Sequence, residues 1–217
     1  MKGLLIKDFK LMKGQKNFLF AIIAIAVFLS AFFDNALFVI SYLSFVLSLF
    51  SLSSISYDEF NNGNAFLFTL PFSRKEYAVE KYLFAFMAGG SALIFSTVLV
   101  VTFGIIRSNH YFTEIAFTFL IMIPILFIVQ SIMIPVQLKF GAEKGRTAII
   151  VILGIFFTVV IAGVKILQFI GIDISGELDK LSFVNIGILI SAFIAISIII
   201  LISSIKISVS IMNNKEF

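Results

Sequence analysis

Apolar residues run through this chain in blocks long enough to cross a bilayer. A hydrocarbon core of ~30 Å takes ~17–25 helical residues. Blocks of that length fall at 17–33, 36–56, 82–106, 113–136, 146–170 and 184–206. None alternates with period two, so they predict helices, which satisfy their own backbone in lipid. The expected fold is an all-α polytopic membrane protein, a single domain over 1–217 with six transmembrane helices. The first two spans form a hairpin that turns at Asp34 and Asn35.

Residues 1–16 predict an element of another kind. On a helical wheel Leu4, Leu5, Phe9, Leu11 and Met12 share one half. Lys2, Lys7, Lys10, Lys13 and Lys16 fall mostly on the other. That pattern suits an interfacial helix with its lysines among anionic headgroups. The alternative is a plain positive anchor. Two residues break the pattern: Asp8 lands among the apolar residues and Ile6 among the basic ones.

Between the second and third spans lies a polar segment, 57–81, that is expected to face water. Asp58 and Glu59 end the second span, and Asn61, Asn62 and Gly63 signal a break. The apolar run Ala65, Phe66, Leu67, Phe68 is too short to cross. Pro71 stops any helix, since it lacks an N–H and disfavours helix at Leu70. Ser73 and Glu76 then have the spacing of a capping box, in which each side chain bonds the other residue's backbone N–H. The segment reads as a surface helix, a proline stop and a capped helix rising into the third span. Glu76 and Glu80 form a like-charge i,i+4 pair, which suits a face awaiting a basic partner. A protein-docking role is the expectation; a mere connecting loop is the alternative.

Composition agrees with the spans. The chain has 217 residues, 60% hydrophobic and 13% charged, with a mean hydropathy of +1.13. A soluble domain is about 25% charged, and this much apolar surface needs lipid to cover it. No small-residue cleavage site follows the basic start, so the first span reads as retained. Basic residues set the orientation. The N-terminal arm, the 57–81 segment (Arg74, Lys75, Lys81), the next even-numbered loop (Lys139, Lys144, Arg146) and the tail (Lys206, Lys215) fall on one side. Only Arg107, Lys165 and Lys180 fall on the other. The positive-inside rule makes the richer side cytoplasmic, with both termini there. The net charge of +4 thus reports topology and not nucleic-acid binding. The longest external loop, 171–183, leaves no room for an extracellular domain.

The chemistry of most enzyme classes is missing. There is no Cys for a disulfide or thiolate site, and one His, His110. No P-loop occurs; the run at 141–146 has the wrong spacing and no Ser or Thr after a Lys. No zinc-protease or serine-hydrolase motif is present. No cofactor is expected on this chain. The spans carry almost no charge beyond Lys165, which argues against an ion-coupled carrier and for energy supplied from outside the bilayer. Pro124 and Pro135 share a face of the fourth span with Gln130 between them. They suggest a flexible helix on a translocation path, with tolerated prolines as the alternative. Gly89, Gly90, Ser91 and Ala92 would allow close helix packing. The 28 Phe residues suit a cavity for amphipathic cargo, or simply face lipid.

The residues Tyr57, Asp58 and Glu59, the run Leu70, Pro71, Phe72, Ser73, Arg74, Lys75, Glu76, Tyr77, and Lys81 with Tyr82 resemble the first cytoplasmic loop of ABC-2-type transporter permeases. The opening Met1 to Phe9 resembles that family's amino terminus. Length and span plan agree over essentially the whole chain. Similarity is greatest to the small six-helix subfamily that includes the membrane subunit of the phenol-soluble modulin exporter. The resemblance implies that this loop carries a coupling helix seated in a cleft of a cytosolic ABC ATPase subunit. The implied coupling residues are Asp58, Glu59, Phe60, Asn61, Asn62, Phe66 and Phe68, followed by Arg74, Lys75 and Glu76. It also implies ATP and Mg on that partner and no enzyme activity on this chain. A second copy or a homologous permease, and a bacterial plasma membrane, complete the picture. The implied cargo is an amphipathic peptide or toxin. A drug or lantibiotic permease is the alternative, and a non-transport regulatory membrane protein is the rival from another class.

Overall fold

The structure, a computed structural model, describes residues 1–32, 36–60, 63–107, 112–169 and 186–215. Every element among them is a helix: α1 (Lys2–Gly14), α2 (Lys16–Phe32), α3 (Ala36–Ser48), α4 (Phe50–Glu59), α5 (Gly63–Leu67), α6 (Arg74–Ile106), α7 (Phe112–Phe169) and α8 (Ile186–Asn214). The expected turn at Asp34 and Asn35 and the expected loop at 171–183 lie outside the described residues.

Among the described residues four helices are long and apolar enough to cross a membrane: Phe38–Glu59, Arg74–Ile106, Phe112–Gly141 and Gly187–Asn214. A fifth crossing is reached if α1 and α2, bent by 70°, count together. The sequence predicts six. Its fifth block, 146–170, falls in the second half of α7, which is helical through Phe169. The two halves of α7 meet at a kink at Gly141, whose φ is +75°. α6 has 33 residues, about 50 Å at 1.5 Å per residue. That exceeds a ~30 Å hydrocarbon core, so α6 extends well past it.

α6 and α7 are central. α3 and α4 pack on both, α2 packs on α3 and α6, and α8 lies along α7 and α6. Two apolar clusters result. One joins Ile22 and Ala26, Val39, Ile40 and Leu43, Leu93 and Val100, and Met122. The other gathers Leu4, Ile55, Tyr77, Tyr82, Ile134, Leu138 and Met212. Between them runs a polar layer. Gln130 is fully buried; its Nε2 donates to the Ser48 carbonyl at 2.9 Å, and its Oε1 accepts from Ser51 at 3.3 Å. At the same level a Cβ on Gly89 would lie 2.8 Å from that of Ser48. The small residue there lets α6 and α3 approach closely, whereas Gly90 has open space around it.

Candidate functional site

The lysine-rich end of the bundle is where α1, the end of α4, α5, the start of α6 and the end of α8 converge. The capping box is formed: Ser73 Oγ accepts from the Glu76 N–H at 3.1 Å, and Glu76 Oε2 accepts from the Ser73 N–H at 2.9 Å. Starting α6 there fixes the facing of its first two turns. Tyr77 and Lys81, four residues apart, point at Ser54 and Asp58, four apart on α4. Leu4 and Asp8, again four apart, close the group from α1.

Lys81 is the centre of this group. Its fully buried ammonium donates to Asp8 Oδ2 at 2.6 Å, Ser54 Oγ at 2.7 Å and Asp58 Oδ2 at 2.8 Å. Those three bonds use all three of its protons. The Tyr77 ring lies 4.8 Å from the same nitrogen, and the Tyr77 hydroxyl donates to Asp58 Oδ2 at 3.1 Å. Lys7 ion-pairs with Asp58 Oδ1 and lies 3.1 Å from Asp8 Oδ1. Burial alone would raise the Asp8 carboxyl, but the Lys81 and Lys7 ammonium groups outweigh it and hold the carboxyl below the ordinary carboxylate range. Glu80 is also fully buried, 3.5 Å from Lys81 Nζ.

Two further cations brace the same end. Arg74 Nη1 donates to the carbonyls of Met212, Asn213 and Lys215 at 3.1, 2.8 and 2.8 Å. Met212 and Asn213 lie in the last turn of α8 and Lys215 just past it, where helix carbonyls run out of helical donors. Lys215 Nζ reaches Glu59 Oε1 at 2.7 Å and the Leu138 carbonyl at 3.0 Å. Leu138 lies one turn before the Gly141 kink, where α7 leaves helical geometry.

The predicted site residues therefore divide. Asp58 is buried in the Lys81 cluster, Glu59 pairs with Lys215, Arg74 caps α8, and Glu76 closes the capping box. Phe68 turns inward against Phe72 and Tyr77, with centroids at 5.7 and 5.4 Å. Phe60 and Phe66 face outward, 71% and 72% exposed, beside exposed Tyr57, Leu70 and Lys75. Asn61 and Asn62 lie outside the described residues. A cavity of about 400 Å³ opens beside this face, between Leu4 and Lys7 of α1 and Leu67, Leu70 and Phe72. The middle of 57–81 is exposed, while Asp58, Tyr77, Glu80 and Lys81, which the sequence places on a water-facing segment, are buried. Each of these is covered because α1 folds over it.

The proposed path residues have structural partners. Gln130 is held by Ser48 and Ser51. Pro135 has no N–H, which frees the carbonyl four residues earlier. That carbonyl, of Ser131, accepts from Ser204 Oγ of α8 at 2.5 Å. Ser204 also contacts the Tyr82 hydroxyl at 2.6 Å, so α6, α7 and α8 are joined at this point. Pro124 is buried within continuous helix. Among the described residues no group of three or more His, Asp or Glu could hold a metal ion.

A family model described as an ABC-2 family transporter protein matches residues 3–213. The chain belongs to that family. No curated protein and no solved structure matches it. An ABC-2 membrane protein is the transport component of an ABC transporter, not itself catalytic, and associates with an ABC ATPase subunit. Charged side chains at one end of the bundle tie α1, α4, α6 and α8 together beneath an exposed aromatic face.

Proposed function

We propose that this protein is the permease subunit of an ATP-driven exporter, and that its exposed 57–72 face docks a cytosolic ABC ATPase. The observation that carries this reading is the contrast within one short segment. Phe60 and Phe66 are left uncovered by the rest of the chain, while Asp58, Glu59, Phe68 and Arg74 of the same segment are engaged with other helices or rings. Large exposed aromatics on a fixed support are the residues that anchor protein interfaces. Force applied at α5 would pass through the Lys81 cluster into α6 and α1.

The lysine-rich end faces the cytoplasm on the positive-inside rule, in a bacterial plasma membrane. α1 then lies along the inner headgroup layer. Two permease copies, or this chain and a homologue, pair with two ATPase subunits that bind ATP and Mg. The cargo is an amphipathic peptide or toxin. Support for the cargo comes from the resemblance of the 70–77 run to the exporter subfamily named above.

Gentle solubilisation of the tagged chain from its native membrane tests the reading. An ATPase with a P-loop should co-purify. Recovery of the chain without any such partner, from membranes that contain one, would sink the exporter reading.

A further inference from the structure

We infer that the Lys81 cluster holds one buried proton, shared between Glu80 and Asp8, and that this proton keeps α1 closed on α6. The first ground is charge balance. Three carboxyl groups, Asp8, Asp58 and Glu80, face two ammonium groups, Lys7 and Lys81. With all five ionised the cluster carries one excess negative charge, and Asp8, Glu80 and Lys81 are fully buried. The second ground is the count of donors. Lys81 gives its three N–H bonds to Asp8, Ser54 and Asp58. Both Glu80 oxygens are buried and receive no hydrogen bond, and Asp8 Oδ1, also buried without one, has the Lys7 ammonium 3.1 Å away.

A single proton removes both defects. An ionised carboxylate only accepts, but a protonated one donates. Both carboxyls lie against the Lys81 ammonium, Asp8 at 2.6 Å and Glu80 at 3.5 Å, so the two are neighbours across it. A hydrogen on Glu80 directed at Asp8 Oδ1 satisfies an orphan acceptor and neutralises the cluster. Asp8 keeps its charge and its bond to Lys81.

Three helices at this end bring charged or titratable groups to the cluster that holds Glu80. α1 brings Lys7 and Asp8, α4 brings Asp58, and α6 brings Tyr77 and Lys81. Glu76, one turn earlier on α6, is occupied by Ser73. Just past α8, Lys215 pairs with Glu59. In alkaline solution hydroxide takes the proton, giving water and a second bare carboxylate against Asp8. Like charges in low dielectric repel strongly, and the contact that yields is the one between α1 and α6. The inference does not depend on the cargo.

The test uses the full chain in lipid nanodiscs. Infrared difference spectra between neutral and alkaline pH should lose a protonated-carboxyl C=O band. Labelling with ¹³C-glutamate should shift that band, and Glu80→Gln should abolish it. Gln also donates to Asp8, so α1 should stay closed in that variant. Spin labels on cysteines at Lys2 and Lys75, in this Cys-free chain, read the α1–α6 distance. It should widen with alkali in the parent and not in Glu80→Gln. No glutamate-derived band, or a Glu80→Gln protein open at neutral pH, would overturn the inference. Should Glu80→Gln fail to fold, the isotope shift on the parent chain decides alone.

Discussion

Asp8 and Lys81 lie 73 positions apart in sequence, and their charged atoms meet at 2.6 Å with both side chains fully buried. Asp8 belongs to the first helix and Lys81 to the base of the third expected span. Their contact makes α1 part of the bundle rather than a tether beside it. A buried pair of this kind adds little over an apolar pair of the same volume, but losing one partner strands the other in low dielectric.

Lys81→Met should therefore destabilise the protein by about 3–5 kcal/mol, the range for an orphaned buried charge. Thermal unfolding in detergent reads this directly. Combining Lys81→Met with Asp8→Asn should cost less than the sum of the two single changes, because each removes the other's stranded partner. Full additivity would show that the two residues do not interact.

Acid should open the same contact. The Asp8 carboxyl is held below its ordinary range by Lys81 and Lys7, against burial. A depressed folded value means the stabilisation is present above the unfolded value and is lost as pH falls through the folded one. Melting temperature should drop on the acid side of the carboxylate range, and the drop should be smaller in Asp8→Asn. An identical acid profile in that variant would place the titrating group elsewhere.

The kink in α7 gives a third expectation. Gly141 has φ +75°, and a Cβ there would lie 2.8 Å from Glu59 Oε2. Gly141→Ala should cost about 1–3 kcal/mol, since φ +75° with ψ −173° is a backbone region essentially confined to glycine, plus whatever the Glu59–Lys215 pair loses. Gly154→Ala is the control, since nothing lies within 4 Å of its added Cβ. It should be neutral or slightly stabilising within the helix, by at most ~1 kcal/mol. Equal effects at both positions would remove the special role of the kink.

Much of this architecture is legible in the residues themselves. Long apolar blocks announce the helices, and Ser73 with Glu76 announces the start of α6 because a capping box is a purely local pattern. The ion cluster is not local, and only its traces show. Asp8 sits out of place on the apolar half of the α1 wheel, and that misfit marks a side chain with a buried partner. Nothing near Asp8 in sequence names Lys81. The freed Ser131 carbonyl is predictable from Pro135 by simple counting, but its donor, Ser204, comes from a helix far along the chain. The Arg74 cap on α8 is equally invisible, since it depends on where α8 ends.

Aromatic orientation separates docking from support. Phe66→Asp should leave stability unchanged and remove ATPase association, because Phe66 is largely exposed. Phe68→Asp should destabilise the chain itself, because its ring packs on Phe72 and Tyr77. Melting curves alongside pull-down with the co-purified ATPase distinguish the two. Loss of stability in Phe66→Asp would assign that residue to the brace instead.

The most direct test of ATPase docking is site-specific cross-linking. The chain has no cysteine, so Phe66→Cys carries a single thiol on the exposed face. In native membranes a short thiol-to-amine cross-linker should join it to the ATPase subunit. Ile199→Cys, an exposed position on α8, should give no such product. A bound ATPase that cross-links at neither Phe66→Cys nor Phe60→Cys would contradict docking at this face.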